Sequence, residues 1–173
     1  MEQIVVITAV GQDKPGIIAA LTEAVLHVGG TLDDATMTRL HGAFATMLAA
    51  RLPEGRSADA LRERLLPVAS AHGVTVTVQA VAEGEPEAPP DTLLTVYGAD
   101  RPGIVYAVAS RLSARGVNIT DMDTRVAGSH DAPVYVMLLE AAAGDADLTE
   151  DLQSLRAELG VTITAQALDA EAL

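Results

Sequence analysis

Two stretches of this chain repeat at a fixed distance, and that repeat restricts the fold more than any other feature. Residues 7–18 read ITAVGQDKPGII and residues 94–105 read LTVYGADRPGIV, an offset of 87 positions. The same offset relates GVTVTVQA at residues 73–80 to GVTITAQA at residues 160–167. One offset that holds across separated blocks indicates a duplication. The 173 residues are therefore predicted to fold as two copies of one small unit.

A short segment between the two copies has the composition of a linker. Residues 83–90 read EGEPEAPP, and a segment this rich in Pro, Gly and Glu cannot build a core. We therefore place the first copy at residues 1–82, the linker at residues 83–90 and the second copy at residues 91–173.

Both copies begin with the same strand and helix signals. Residues 4–10 form a short, apolar, β-branched run that predicts a buried strand, and residues 92–97 repeat it. A helix follows in each copy and ends at glycine, which tolerates positive φ. Apolar residues four positions apart mark the buried face of these helices: Ile17, Leu21 and Val25, then Ile104, Val108 and Leu112. The glycines that end them are Gly29, Gly30 and Gly116.

A hairpin, a second helix and a last strand complete each copy. The predicted hairpin strands are residues 31–40 and 44–52, then 117–126 and 134–140, joined by short polar turns at 41–42 and 128–131. The second helix carries an apolar stripe: Leu61, Leu65 and Val68, then Leu148, Leu152 and Leu155. Valine alternates with polar residues over 74–79, which predicts a strand with one buried face.

The order βαββαβ, with both helices on one face of an antiparallel sheet, is a ferredoxin-like arrangement. The predicted fold class is therefore α+β, with two such units. Each unit leaves one sheet face bare and two edge strands unpaired, so we expect the copies to pair as a pseudo-dimer. The same exposed edges favour a homodimer.

Composition excludes several classes of function. The formal net charge of −13 repels phosphate, so we expect no direct binding to nucleic acid. The chain has no cysteine, which excludes disulfides, thiolate metal sites and cysteine nucleophiles. The N-terminus does not resemble a signal peptide, and no apolar run approaches the roughly 20 residues of a membrane span. We therefore expect a soluble, cytoplasmic protein that makes no membrane contact.

The repeated turn, Asp13-Lys14-Pro15-Gly16 in the first copy, lies where a strand ends and a helix begins. Proline pre-sets φ for the first helical turn, and the aspartate is expected to accept hydrogen bonds from the free N–H groups there. Glycine leaves room for another group to approach, and the helix start attracts carboxylates. One such turn indicates only a well-capped helix, whereas its duplication favours a binding role.

The pattern of a strand, Asp-x-Pro-Gly-Ile, a helix and Gly-Val-Asn-Ile resembles the ACT domain, a regulatory module that binds amino acids. The second copy is the closer match, with Asp-Arg-Pro-Gly-Ile at residues 100–104 and Gly-Val-Asn-Ile at residues 116–119. Two such units without an attached enzyme resemble the glycine-cleavage-system transcriptional repressor family.

This resemblance implies a ligand site between two units, where the loop after the first strand of one meets the start of the second strand of the other. An asparagine there contacts the ligand in the family. Asn118 matches that asparagine, whereas the first copy has Thr31, which offers one hydroxyl in place of an amide donor and carbonyl acceptor. The better site is therefore expected to contain Gly11, Asp13, Lys14, Pro15, Gly16, Ile17, Ile18, Asn118, Ile119 and Thr120. A weaker second site is expected at Asp100, Arg101, Pro102, Gly103, Ile104, Thr31 and Leu32.

No pattern in the chain indicates an enzyme, a cofactor or a metal site. The four histidines show no metal-ligand spacing and are interpreted as surface or helix-end residues: His27, His41, His72 and His130. Asp33, Asp34, Asp121 and Asp123 are interpreted as solvated charge. The leading function is a regulator that binds an amino acid and signals to a partner protein, and transcriptional control of amino-acid metabolism is one form of it. The alternative is an effector-binding subunit that acts in trans on an amino-acid-metabolising enzyme.

Overall fold

The chain divides into two compact units, Met1–Glu85 (unit 1) and Pro86–Leu173 (unit 2). The structure, a computed structural model, describes residues 2–81, 88–129 and 132–168. The division falls within the predicted linker 83–90, of which residues 83–87 lie outside the described residues.

Each unit has the element order βαββαβ, which confirms the predicted ferredoxin-like α+β fold. Unit 1 consists of β1 (Gln3–Gln12), α1 (Ile17–His27), β2 (Thr31–Leu40), β3 (Ala43–Leu52), α2 (Ala58–His72) and β4 (Val74–Val81). Unit 2 consists of β5 (Thr92–Ala99), α3 (Ile104–Ala114), β6 (Asn118–Ser129), β7 (Ala132–Ala142), α4 (Thr149–Leu159) and β8 (Thr162–Ala167). Both sheets are antiparallel, with strand orders β2-β3-β1-β4 and β6-β7-β5-β8.

Each unit has its own core between its helices and one face of its sheet, which is aliphatic except for Phe44 in unit 1 and Tyr135 in unit 2. The predicted stripes lie in these cores: Ile17, Leu21 and Val25 in unit 1, and Ile104, Val108 and Leu112 in unit 2. On the opposite side of the unit 1 sheet, Met37 and Met47 are each 52% exposed. Because side chains alternate along a strand, the apolar residues of each strand can be buried on a single face of the sheet.

The two units differ in the length of the hairpin. Val5 pairs with Ala50, while the equivalent Thr92 pairs with Ala141, so the third strands are related by an offset of 91 rather than 87. The β6–β7 ladder extends two residue pairs further toward the hairpin turn than the β2–β3 ladder. Helix α4 has 11 residues against 15 in α2, which restores the offset of 87 at the last strand. Leu148, predicted within this helix, is instead the residue that precedes its first turn.

The hairpin turn of unit 1 was predicted correctly. His41 and Gly42 both have positive φ, at 50° and 80°, which is the conformation of the two-residue turns that match strand twist. In unit 2 the predicted turn at 128–131 was partly wrong, because Gly128 and Ser129 belong to β6; His130 and Asp131 lie outside the described residues. Among the described residues, no helix is long and apolar enough to cross a membrane.

Candidate ligand-binding site

The turn that precedes α1 differs from its prediction. The residue before the helix is Gly16 with φ at 94°, and Gly103 before α3 has φ at 92°, a region that side-chain-bearing residues rarely adopt. No side chain caps either helix start within the described residues. The expectation that aspartate caps these helices is therefore wrong, because the left-handed glycine turns the chain between the aspartate and the helix. Pro15 likewise lies before Gly16 and not in the first helical turn.

The aspartate of unit 1 is held by the hairpin instead. The Asp13 carboxylate accepts a hydrogen bond from Arg39 at 3.3 Å, and the Asp13 backbone N–H donates to the Gly42 carbonyl at 3.2 Å. Both charged side chains are well exposed, so this ion pair orients the loop and stabilises it little. Val126 replaces Arg39 in unit 2, and Asp100 therefore lacks the equivalent arginine.

The basic residue of the repeated turn binds the end of the second helix in both units. Lys14 Nζ donates to the His72 carbonyl at 3.3 Å, and Arg101 donates to the Leu159 carbonyl at 3.4 Å. These carbonyls lie at the negative ends of α2 and α4, where a cation is favourable. The conformation of the loop is thus coupled to the second helix of its own unit.

Gly11 has a structural role that the sequence alone did not reveal. A Cβ at this position would lie 2.8 Å from Val74 Cγ1 and 2.9 Å from the Gly73 carbonyl oxygen, so any side chain would force β1 and β4 apart. In unit 2, a Cβ at Gly98 would likewise lie 2.8 Å from Val161 Cγ1. Each glycine also pairs across the sheet with an aromatic residue, Phe44 in unit 1 and Tyr135 in unit 2. The room beside these glycines is taken up by the protein itself.

The isoleucines that follow the repeated turn differ in how far their side chains are exposed. Ile17 and Ile104 are each 2% exposed and pack in the cores, so only their backbone can face a ligand. Ile18 is 36% exposed and continues the loop surface.

The predicted asparagine lies at the start of edge strand β6. Asn118 is exposed, pairs through its backbone with Ala142, and its side-chain amide makes no hydrogen bond within the described residues. A β-bulge follows directly, at Thr120, and unit 1 has the same bulge at Asp33. Bulges often lie beside functional sites because they re-aim side chains, and this repeated one was not apparent from the sequence.

The two halves of the predicted site lie at opposite ends of each sheet. Ile4 and Thr31 both align with Arg51, whereas Gly11 aligns with Phe44 at the other end of the ladder. Seven residues of strand separate these positions, or about 24 Å at the usual rise. The loop and the edge-strand start of one unit therefore cannot contact the same small ligand.

Of the four aspartates near the starts of the edge strands, Asp33 and Asp123 form ion pairs. Arg51 binds Asp33 at 2.7 Å, and this hydrogen bond raises the pKa of the guanidinium. Arg125 binds Asp123 at 3.0 Å. In the described part of the chain, no group of three or more His, Asp or Glu residues is arranged to hold a metal ion.

One histidine lies beside the repeated turn. The His72 ring is placed so that its Cε1 would lie 3.5 Å from a Cβ at Gly16, and Leu159 occupies the equivalent position in unit 2. Sequence reasoning assigned His72 to a helix end, where it indeed lies, but did not predict its proximity to Gly16.

Family comparisons agree with this architecture. Models described as the ACT domain match residues 3–79 and residues 92–157. The glycine cleavage system transcriptional repressor of Escherichia coli is 25% identical over 157 residues, covering 88% of this chain and 82% of that protein. A UPF0237 protein of Methanopyrus kandleri is 39% identical over 80 residues, covering 44% of this chain and 87% of that protein. A crystal structure of an unknown protein from Galdieria sulphuraria has a TM-score of 0.81 at 22% identity, covering 98% of this chain and 100% of that one. The ACT-domain matches and the repressor relative suggest a ligand-binding regulatory role.

Proposed function

Since the chain belongs to the ACT-domain family, we propose that it is a non-enzymatic regulatory protein that binds an amino acid and signals to a partner protein. The better site combines the loop of unit 1, residues 11–18, with the strand start of unit 2, residues 118–120. The weaker site combines residues 100–104 with Thr31 and Leu32. The observation that carries the proposal is the uncapped helix start behind a left-handed glycine, present in both units.

The loop offers what an amino-acid carboxylate needs. With no side-chain cap at the start of α1, its first N–H groups are left for an outside acceptor, and a helix start favours negative charge. Gly16 has no side chain of its own, and the His72 ring borders it. Asp13 and Arg39 tie this loop to the hairpin, so its backbone is positioned before the ligand arrives.

Asn118 offers the complementary contacts. Its amide has one acceptor and two donor positions, none of them used within the described residues, which suits a ligand carrying both an ammonium and a carboxylate. Thr31 provides a single hydroxyl, so the second site is expected to bind more weakly. Because loop and strand start are far apart within each unit, a site that uses both has to take them from different units.

A ligand held by both units would favour one arrangement of the units over others, and so change the surface presented to a partner. In view of the repressor relative, transcriptional regulation of amino-acid metabolism is the first form of the proposal. With a net charge of −13, the chain would act through a DNA-binding protein and not touch DNA itself. An effector subunit that acts in trans on a metabolic enzyme is the second form. Affinity purification with this chain as bait distinguishes the two forms of the proposal, according to whether a DNA-binding protein or a metabolic enzyme is retained.

A thermal-shift screen against the twenty amino acids tests the proposal. A ligand of the folded state stabilises it by about 2.7 kcal/mol at a hundredfold excess over its dissociation constant. We expect one amino acid, or a small related group, to raise the unfolding temperature of the wild type and to have little effect on Asn118→Ala. A screen in which no amino acid shifts the transition contradicts the proposal.

Lys14 is the single lysine of the chain and lies in the predicted site, which provides a local reporter. Reductive methylation with a ¹³C label places one NMR signal on its Nζ and a second on the N-terminal amine. The active amino acid is expected to shift the Lys14 signal and leave the N-terminal signal unchanged. A thermal shift with no change at Lys14 would place the ligand elsewhere.

A further inference from the structure

The loop of unit 2 borders an open cavity of about 290 Å³ whose lining residues all lie in unit 2. The residues that line it are Arg101, Gly103, Ile104, Val105, Tyr106 and Tyr135. A neighbouring cavity of about 410 Å³, between α3 and α4, shares Gly103 and Tyr106 with it. Tyr106 therefore stands between two hollows, and the first is close to the lower end of the size range of small-ligand pockets, roughly 300 Å³.

The equivalent space in unit 1 has different chemistry. His72 lies against Gly16, whereas nothing lies within 4 Å of a Cβ at Gly103. Ala19 stands where unit 2 has Tyr106, and Phe44 is the strand partner that corresponds to Tyr135. Two copies of one loop have thus diverged so that unit 2 is more open and more aromatic.

The aromatic residues are unusually concentrated. Only 2% of the chain is aromatic, and all three tyrosines lie in unit 2. Tyr106 is 77% exposed in the first turn of α3, so most of its ring is accessible to a ligand. Tyr135 is 9% exposed and forms part of the cavity wall.

One of the lining residues, Arg101, is positively charged. Arg101 uses one N–H group on the Leu159 carbonyl at 3.4 Å, and a guanidinium carries five donors. The remaining donors can bind a carboxylate, and a guanidinium does so with two parallel hydrogen bonds. In a chain with 24 acidic and 11 basic residues, a cation beside exposed aromatic surface favours a ligand with a ring and a negative charge.

We propose that unit 2 binds a small aromatic carboxylate in this cavity, with the ring against Tyr106 and the carboxylate on Arg101. The inference extends the proposed function, because it uses loop residues of the weaker predicted site and names the ligand class that they select. It differs in one respect that can be measured: neither Asn118 nor the loop of unit 1 takes part.

Titration of the intact protein with 3-phenylpropionate and with its saturated analogue 3-cyclohexylpropionate tests the proposal. Neither probe has an amino group, so neither mimics a free amino acid. Calorimetry gives the affinity, and tyrosine fluorescence reports on unit 2 alone because every tyrosine lies there. We expect the aromatic probe to bind about two- to twelvefold more tightly than the saturated one, the preference that a ring–ring contact provides.

Two substitutions replace unit 2 residues by their unit 1 counterparts. Tyr106→Ala is expected to abolish the preference for the aromatic probe. Leu159→His is expected to weaken both probes by placing a ring beside Gly103, where His72 borders Gly16 in unit 1. Arg101→Gln is expected to weaken both probes and to remove the decrease in affinity with rising salt, since the carboxylate then has no cation to face. Ser113→Ala, on the same helix but outside the cavity lining, is the matched control and should bind like the wild type.

Equal affinity of the wild type for the two probes, an absence of saturable binding, or an unchanged preference in Tyr106→Ala would overturn the inference. Loss of binding in Asn118→Ala would also overturn it, because the ligand would then occupy the site shared by the two units. Failure of the amino-acid screen would leave these titrations unaffected, so the two proposals fail separately.

Discussion

Alanine at Gly11 and at Gly98 should destabilise the two units by similar amounts but respond differently to a second substitution. At both positions the added Cβ would meet a valine Cγ1 at 2.8 Å. Overpacking of this kind typically costs about 1–3 kcal/mol. Neither glycine has positive φ, so the cost is steric and not conformational.

The other contacts of each added Cβ determine how much stability a second substitution, of the valine that the Cβ meets, can restore. At Gly11 the Cβ also meets the Gly73 carbonyl oxygen at 2.9 Å and Val74 Cα at 3.0 Å, and shortening Val74 to alanine removes neither. At Gly98 the other contacts are Val161 Cα and Cβ, both at 3.1 Å, which a small backbone shift can relieve. We therefore expect a double-mutant coupling energy of about 1 kcal/mol for Gly98→Ala with Val161→Ala, and less than about 0.5 kcal/mol for Gly11→Ala with Val74→Ala.

Urea unfolding of the wild type, the four single variants and the two double variants measures these energies. Gly103→Ala is the control for backbone strain, since its Cβ meets open space while its φ of 92° should cost about 1–2 kcal/mol. Single-variant costs below about 0.5 kcal/mol at Gly11 and Gly98, or a larger rescue in unit 1 than in unit 2, would refute the reasoning.

Two further predictions concern stability. Leu61→Ala should lower the free energy of unfolding of unit 1 by about 2–5 kcal/mol, because Leu61 is fully buried. Leu66→Ala, at a position 64% exposed, should change it by no more than about 0.5 kcal/mol in the same denaturation assay, and similar costs for the two variants would contradict the assigned core. The Asp91 carboxylate accepts backbone hydrogen bonds from Ala143 and Gly144, which lower its pKa, so the unfolded chain binds more protons and stability is lost as the pH falls below about 4. Asp91→Asn should flatten this acid dependence in urea titrations between pH 3 and 7, and an unchanged slope would show that Asp91 does not contribute to it.

Much of the fold followed from the sequence because the repeat allowed each signal to be read twice. The four-residue spacing of Ile17, Leu21 and Val25 correctly placed the buried face of α1. The strands were predicted to within a few residues, and His41-Gly42 was recognised as a turn. These features depend on local periodicity and turn chemistry, which a single sequence carries.

Features that depend on strand register were not predictable. The bulges at Asp33 and Thr120 and the longer hairpin of unit 2 arise from pairing between strands, and no local residue pattern marks them. The capping role given to Asp13 was wrong for a related reason. A left-handed Gly16 carries the chain past the aspartate, and glycine in a sequence does not reveal the sign of its φ.

The candidate site was predicted residue by residue only through the resemblance to the ACT domain. The structure shows a structural role for several of these residues. Gly11 allows two strands to approach, Lys14 binds the end of α2, and Ile17 packs in the core. The Asn118 side chain makes no hydrogen bond within the described part of the chain. The proposed difference between the two sites therefore depends on Asn118 in one site and Thr31 in the other.

Calorimetric titration of the wild type and of Asn118→Ala with the amino acid found in the screen tests the central claim most directly. We predict one tight site per chain in the wild type, and a loss of at least about tenfold in affinity in Asn118→Ala, the order expected when charge-assisted hydrogen bonds are removed. Thr31→Ala should leave the tight site unchanged. Two equal sites per chain, or unchanged affinity in Asn118→Ala, would contradict the account.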